Sequence, residues 1–136
     1  MSEARPNGAG ARPLSPHLQV WRWHLTMLGS ILHRATGVGL YAGALIAAGW
    51  AASLAAGPEA YQAYCGLLGS PLGKLVLIGL TLSAFFHMAN GVRHLFWDSG
   101  FGFAPRTADA TGAAVIAFAV VATAALWTYV FLTGAA

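Results

Sequence analysis

Polar and apolar residues are segregated along this chain in long blocks. No Asp, Glu, Lys or Arg occurs from Ala35 to Pro58, from Leu75 to Val92, or from Ala110 to the C-terminus. A helix needs roughly 20 apolar residues to cross about 30 Å of hydrocarbon, and each block reaches or approaches that length. The pattern predicts three transmembrane helices, at about 30–56, 72–96 and 110–132. Between the first two, Gly57 to Gly73 contains Pro58, Pro71 and several glycines and reads as a breaker loop. Gly100 to Arg106 reads as a second turn.

The stretch before the first span has two parts. Met1 to Pro16 has no apolar periodicity and carries prolines and glycines, which predicts an extended arm. It offers no apolar core for a secretory signal. His17 to Leu32 mixes Trp21 and Trp23 with Arg22 and His24 before turning apolar. Indole rings favour the headgroup layer, so this part reads as an interfacial lead-in. The expected fold class is all-α: a single integral membrane domain over 1–136, with three spans preceded by a cytoplasmic arm and interfacial segment at 1–29.

Composition agrees with that pattern. Of the 136 residues, 57% are hydrophobic and 8% charged, with mean hydropathy +0.63, far from the usual globular mix. The formal charge of +3 raises the question of nucleic acid. The basic residues sit at span ends and form no patch or stripe, which argues against it. Arg5, Arg12, Arg22 and Arg34 lie at or before the start of the first span, Lys74 follows the next loop, Arg93 and Arg106 flank the last turn, and none follows the third span. The positive-inside rule then puts the N-terminus in the cytoplasm and the C-terminus outside. Cys65 is the only cysteine, so no intrachain disulfide forms, and any haem here is held without thioether bonds.

The candidate chemistry centres on Phe85 to Asp98, FFHMANGVRHLFWD. A histidine inside an apolar span is costly, because its ring nitrogens lose water and need partners. His87 is such a residue. It is either a metal ligand, a member of a proton relay or one end of an interhelical hydrogen bond. His94 follows seven residues later, about 10.5 Å along a helix axis, too far for both to be axial ligands of one iron. A sixth ligand would come from elsewhere, most simply from a partner chain. Gly91, one turn after His87, leaves room for a flat macrocycle. Ser83, one turn before it, could bond the imidazole or its own backbone.

If the first two spans are antiparallel neighbours, Arg93 and His94 come near His33 and Arg34 at the cytoplasmic surface. Such a cluster holds carboxylates, for instance haem propionates, or snorkels to lipid phosphates. Asp98 is expected to pair with Arg93 or Arg106. Ser30 and Arg34, at i and i+4, share a face; they suit the polar ring of a quinone, or are a helix-start residue and a positive-inside anchor. Gly39 and Gly43 read as a helix-packing surface. The third span reads as an apolar structural wall, with no residue more polar than Thr123 or Thr128.

At these positions the sequence resembles the cytochrome b556 subunits of succinate dehydrogenase, the larger haem-anchoring membrane chains of respiratory complex II. The shared pieces are Arg12-Pro13-Leu14 with Leu18, Ser30-x-x-His33-Arg34-x-Thr36-Gly37, and His87-x-x-x-Gly91-Val92-Arg93-His94-Leu95-x-x-Asp98. Any one of them is weak; three in order on a three-span chain are specific. The resemblance implies that His87 is an axial ligand of haem b, with the other ligand from a second membrane anchor subunit. It implies that Ser30 and Arg34 line a ubiquinone site shared with that subunit and the iron–sulfur subunit, and that His33 and His94 lie near the haem propionates. FAD and iron–sulfur clusters would reside in partner subunits, the flavoprotein and the iron–sulfur protein, since this chain has neither the cysteines nor a Gly-rich dinucleotide fingerprint. The expected location is a bacterial inner membrane, with the mitochondrial inner membrane as the alternative.

Three other readings stay open on sequence. A fumarate reductase anchor would run the reaction in reverse. A haem-free structural anchor would use His87 only between helices. A proton-relay or transporter subunit would need ionisable residues through several spans, and the third span has none.

Overall fold

The computed structural model describes residues 22–134, so the arm up to Trp21, with Arg12, Leu14, His17 and Leu18, lies outside the described residues. Among the described residues four helices follow one another, α1 (Leu25–Ala56), α2 (Pro58–Gly69), α3 (Pro71–Asp98) and α4 (Pro105–Thr133). Three of them, α1, α3 and α4, are long and apolar enough to cross a membrane. The chain is an all-α membrane protein.

Helix boundaries follow from local chemistry. Helix α1 begins at Leu25, a little over one turn before the expected start, because Leu28 N–H already bonds the His24 carbonyl at 3.0 Å and nothing from Leu25 to Ser30 breaks a helix. It ends at Gly57, whose φ of 115° suits glycine. The segment read as a breaker loop is instead α2. Pro58 stands at its first position, where the missing N–H costs nothing, and Glu59 lies in its first turn, favourably placed at the positive end of the helix. Proline here starts a helix where the sequence reading took it to interrupt one. Ser70 caps α3, its hydroxyl accepting from Gly73 N–H at 3.1 Å, with Pro71 at the first position. Gly73 is required at this corner, since a Cβ would collide with the Leu67 and Leu68 carbonyl oxygens.

Helix α3 is central, packing against α1, α2 and α4. On its α1 side small residues permit close approach, as expected for Gly39 and Gly43. A Cβ at Gly39 would stand 3.7 Å from Ser83 Oγ and one at Gly43 2.9 Å from Leu80 Cδ2. On its α4 side Phe86 packs against Val115 and Ala119. Ala108, Gly112, Val115, Ala119 and Thr123 form the buried stripe of α4 at three- and four-residue spacing. Tyr64 Oη donates to the Ile46 carbonyl at 2.8 Å and fastens α2 to α1.

Candidate functional site

His33 of α1 meets both His87 and His94 of α3. His33 and His87 stack face to face, ring centroids 3.9 Å apart and planes 9° from parallel. His94 lies beside His33, its ring centroid 5.3 Å away and its plane tilted by 48°. The approach of α1 to α3 at this level depends on Gly37, where a Cβ would stand 3.1 Å from His87 Cε1.

The hydrogen bonds of His87 fix its tautomer. Its Nδ1 is 3.1 Å from the His33 carbonyl oxygen and 3.2 Å from Thr36 Oγ1. A carbonyl oxygen can only accept, so Nδ1 carries the hydrogen and Nε2 keeps its lone pair. The Thr36 hydroxyl directs its own proton to the Leu32 carbonyl at 2.8 Å, leaving oxygen lone pairs for His87. An imidazole whose one nitrogen donates to a backbone carbonyl while the other is left basic is the arrangement that metal-binding histidines use. Gly91, one turn along α3, has nothing within 4 Å of where a Cβ would be, so this flank of the helix is open. These residues fit a haem.

His33 cannot be the ligand opposite His87. Axial imidazoles approach the iron end-on from opposite faces of the porphyrin, whereas these two rings lie flat on each other. Among the described residues no group of three or more His, Cys, Asp or Glu side chains could hold a metal ion. His33 Nδ1 is buried and without a hydrogen-bond partner.

Ser83, weighed as a partner for His87, donates instead to the Gly79 carbonyl at 2.8 Å. Arg93 departs further from expectation. It is buried at 6% exposure and does not pair with Asp98. Its Nε donates to Thr111 Oγ1 at 3.0 Å, one terminal nitrogen to the Ala108 carbonyl at 2.8 Å and the other to Asn90 Oδ1 at 3.4 Å. The face of the guanidinium covers Trp97, 3.9 Å from the ring centroid. Gly29 of α1 and Gly112 of α4 make room for it, their would-be Cβ atoms 4.0 and 3.7 Å from its nitrogens. Helix α4 is therefore more than a wall, since its backbone and Thr111 hold a buried cation. Ser30 and Arg34 stand one turn apart on α1, the first half-buried and the second exposed.

The profile of the succinate dehydrogenase/fumarate reductase transmembrane subunit family matches residues 9–126. The chain belongs to this family. Among relatives, the succinate dehydrogenase cytochrome b556 subunit of Rickettsia felis is 34% identical over 128 residues, covering 93% of this chain and 99% of that protein. The subunit of the same name from Paracoccus denitrificans is 38% identical over 112 residues, 82% of this chain and 86% of that one. The mitochondrial cytochrome b560 subunit of Mus musculus is 34% identical over 124 residues, 90% and 73% respectively. The succinate dehydrogenase transmembrane family thus covers both motif-bearing helices, α1 and α3, and most of α4.

The sequence reading missed Thr36, Asn90, Trp97 and Thr111. Thr36 stood inside a family motif, spaced to face the same flank as His33. Nothing local marked the other three, whose importance comes from contacts between helices.

Proposed function

We propose that this chain is the haem b-binding anchor of a succinate:quinone oxidoreductase and forms part of its ubiquinone site. The observation that carries the reading is the bond from His87 Nδ1–H to the His33 carbonyl, which leaves Nε2 as a basic, orientated nitrogen. His87 would supply one axial ligand, a second membrane anchor subunit the other, and His33 with His94 would face the propionates. Haem b, when bound, supplies one-electron exchange beside the quinone.

Flavin and iron–sulfur clusters in the flavoprotein and iron–sulfur subunits would bring electrons from succinate to the membrane edge. There Ser30 and Arg34 would hold the quinone ring. Reduction of a quinone to a quinol adds two electrons and two protons, and negative charge develops on its oxygens when electrons arrive ahead of the protons. The Arg34 guanidinium and the Ser30 hydroxyl are donors suited to that charge, and a fixed donor stabilises it more than mobile water does. Arg22, Arg34, Arg93 and Arg106 lie at one end of the spans and Lys74 at the other, a bias that supports a cytoplasmic N-terminus; the membrane would be a bacterial inner membrane, with the mitochondrial inner membrane as the alternative.

The test is the dithionite-reduced minus oxidised absorption spectrum of the detergent-purified assembly, for the unmodified protein and for His87→Ala. A low-spin b-type signal that the substitution weakens or shifts supports the reading. Absence of haem from an intact assembly containing its partners favours the haem-free anchor. A signal indifferent to His87→Ala moves the ligand to another residue.

A further inference from the structure

Trp97 is clamped on three sides. Its Nε1–H donates to the Gly102 carbonyl at 3.2 Å, in the turn between α3 and α4. Phe103 stacks on it with centroids 6.1 Å apart and planes 18° from parallel. Arg93 covers its face, and Arg93 is itself bonded to Thr111 and the Ala108 carbonyl of α4. The turn that delivers the Gly102 carbonyl needs glycine, because Gly102 has φ 86°.

The indole also touches His94, ring centroids 5.1 Å apart and planes at 85°. His94 in turn meets His33, and His33 lies flat on His87. Ring contacts therefore run without interruption from the α3–α4 turn to His87. Contacts of this kind are attractive and directional, favouring offset-stacked and edge-to-face arrangements. A terminal ring torsion such as that of histidine is otherwise broad. Among the described residues the His94 ring makes no hydrogen bond, so its orientation rests on the rings beside it.

We infer that Trp97 is a positioning residue: held by Arg93, Gly102 and Phe103, it sets the ring of His94 and, through His33, the plane of His87. The inference rests on the reading of His87 as a haem ligand. Orientation and hydrogen bonding of an axial imidazole tune the iron it binds, so Trp97 acts on the haem without touching it.

The experiment compares the complete detergent-purified assembly carrying Trp97→Leu or Trp97→Phe with the unmodified one. Haem content is measured as the pyridine haemochrome, and the haem environment by the low-spin ferric electron paramagnetic resonance signal and the midpoint potential. Trp97→Leu is expected to retain haem but to displace both the resonance and the potential. Trp97→Phe, which keeps a ring beside His94 and under Arg93, is expected to restore most of the displacement. Haem properties identical to the unmodified protein in Trp97→Leu overturn the inference and leave the haem reading standing. Absence of haem from the unmodified assembly overturns the haem reading, and the inference with it. If Trp97→Leu fails to assemble, Phe103→Ala, which frees one side of the indole, decides: a displaced resonance supports the inference and an unchanged one overturns it.

Discussion

His33 serves His87 twice, with its ring and with its backbone. The two imidazoles lie 3.9 Å apart face to face, and the carbonyl of the same residue receives the His87 Nδ1–H. Replacing the His33 side chain removes the ring contact and leaves the carbonyl. His33→Ala is therefore expected to retain haem on the proposed ligand while altering its spectrum, whereas His87→Ala removes the ligating nitrogen. Haem content and the reduced α-band, measured on the same preparations, separate the two. Equal haem loss in both would show that the ring of His33, not its backbone, holds the site.

Gly37 controls how closely α1 approaches His87. An added Cβ would lie 3.1 Å from Cε1, so Gly37→Ala forces a small shift and Gly37→Val a larger one. Overpacking of this kind costs about 1–3 kcal/mol. We expect Gly37→Ala to keep haem with a shifted band and Gly37→Val to lose most of it, read as haem per assembly. Full haem occupancy in Gly37→Val would contradict the close contact.

Arg93 joins α3 to α4. Hydrogen bonds to a charged group contribute roughly 1.5–3 kcal/mol each, so Arg93→Leu should lower the thermal stability of the assembly by about 3 kcal/mol or more. Lysine is expected to rescue only part of the loss, because a point charge cannot reproduce the planar fork that reaches Thr111 and Ala108 together. Thermal unfolding of the two variants in the same detergent provides the comparison.

Arg34 is exposed and so is free to act on a ligand. If it holds the quinone, Arg34→Ala should reduce succinate-to-quinone electron transfer by about tenfold or more, as removal of a charge-stabilising donor does, with haem content unchanged. Normal rates in membranes carrying this variant would remove Arg34 from the quinone site.

Much of the architecture was legible in the order of residues, and the reasons are local. Charge-free blocks marked α1, α3 and α4, and the cost of an imidazole in hydrocarbon marked His87. Gly39 and Gly43 announced a close helix contact. Misreadings arose where one residue type serves opposite purposes. Pro58 among glycines looked like a break, yet it opens α2. Arg93 near the end of a span looked like a snorkelling side chain or half of an ion pair. Besides Asn90, its acceptors are a backbone carbonyl at Ala108 and a hydroxyl at Thr111, and a carbonyl bears no mark in sequence. Trp97 was passed over for the same reason: what clamps it is the fold of the turn after α3.

The bond between Arg93 and the Ala108 carbonyl also has a bearing on how the chain is made. Residues emerge in order during synthesis, so Arg93 is present before the acceptors that enclose it. Until the segment from Ala108 to Thr111 arrives, Asn90 is the one acceptor already in place, and the other guanidinium donors turn to water or lipid headgroups. Arrival of the last helix draws that charge inward, so the final span acts as the latch that completes α3 before it.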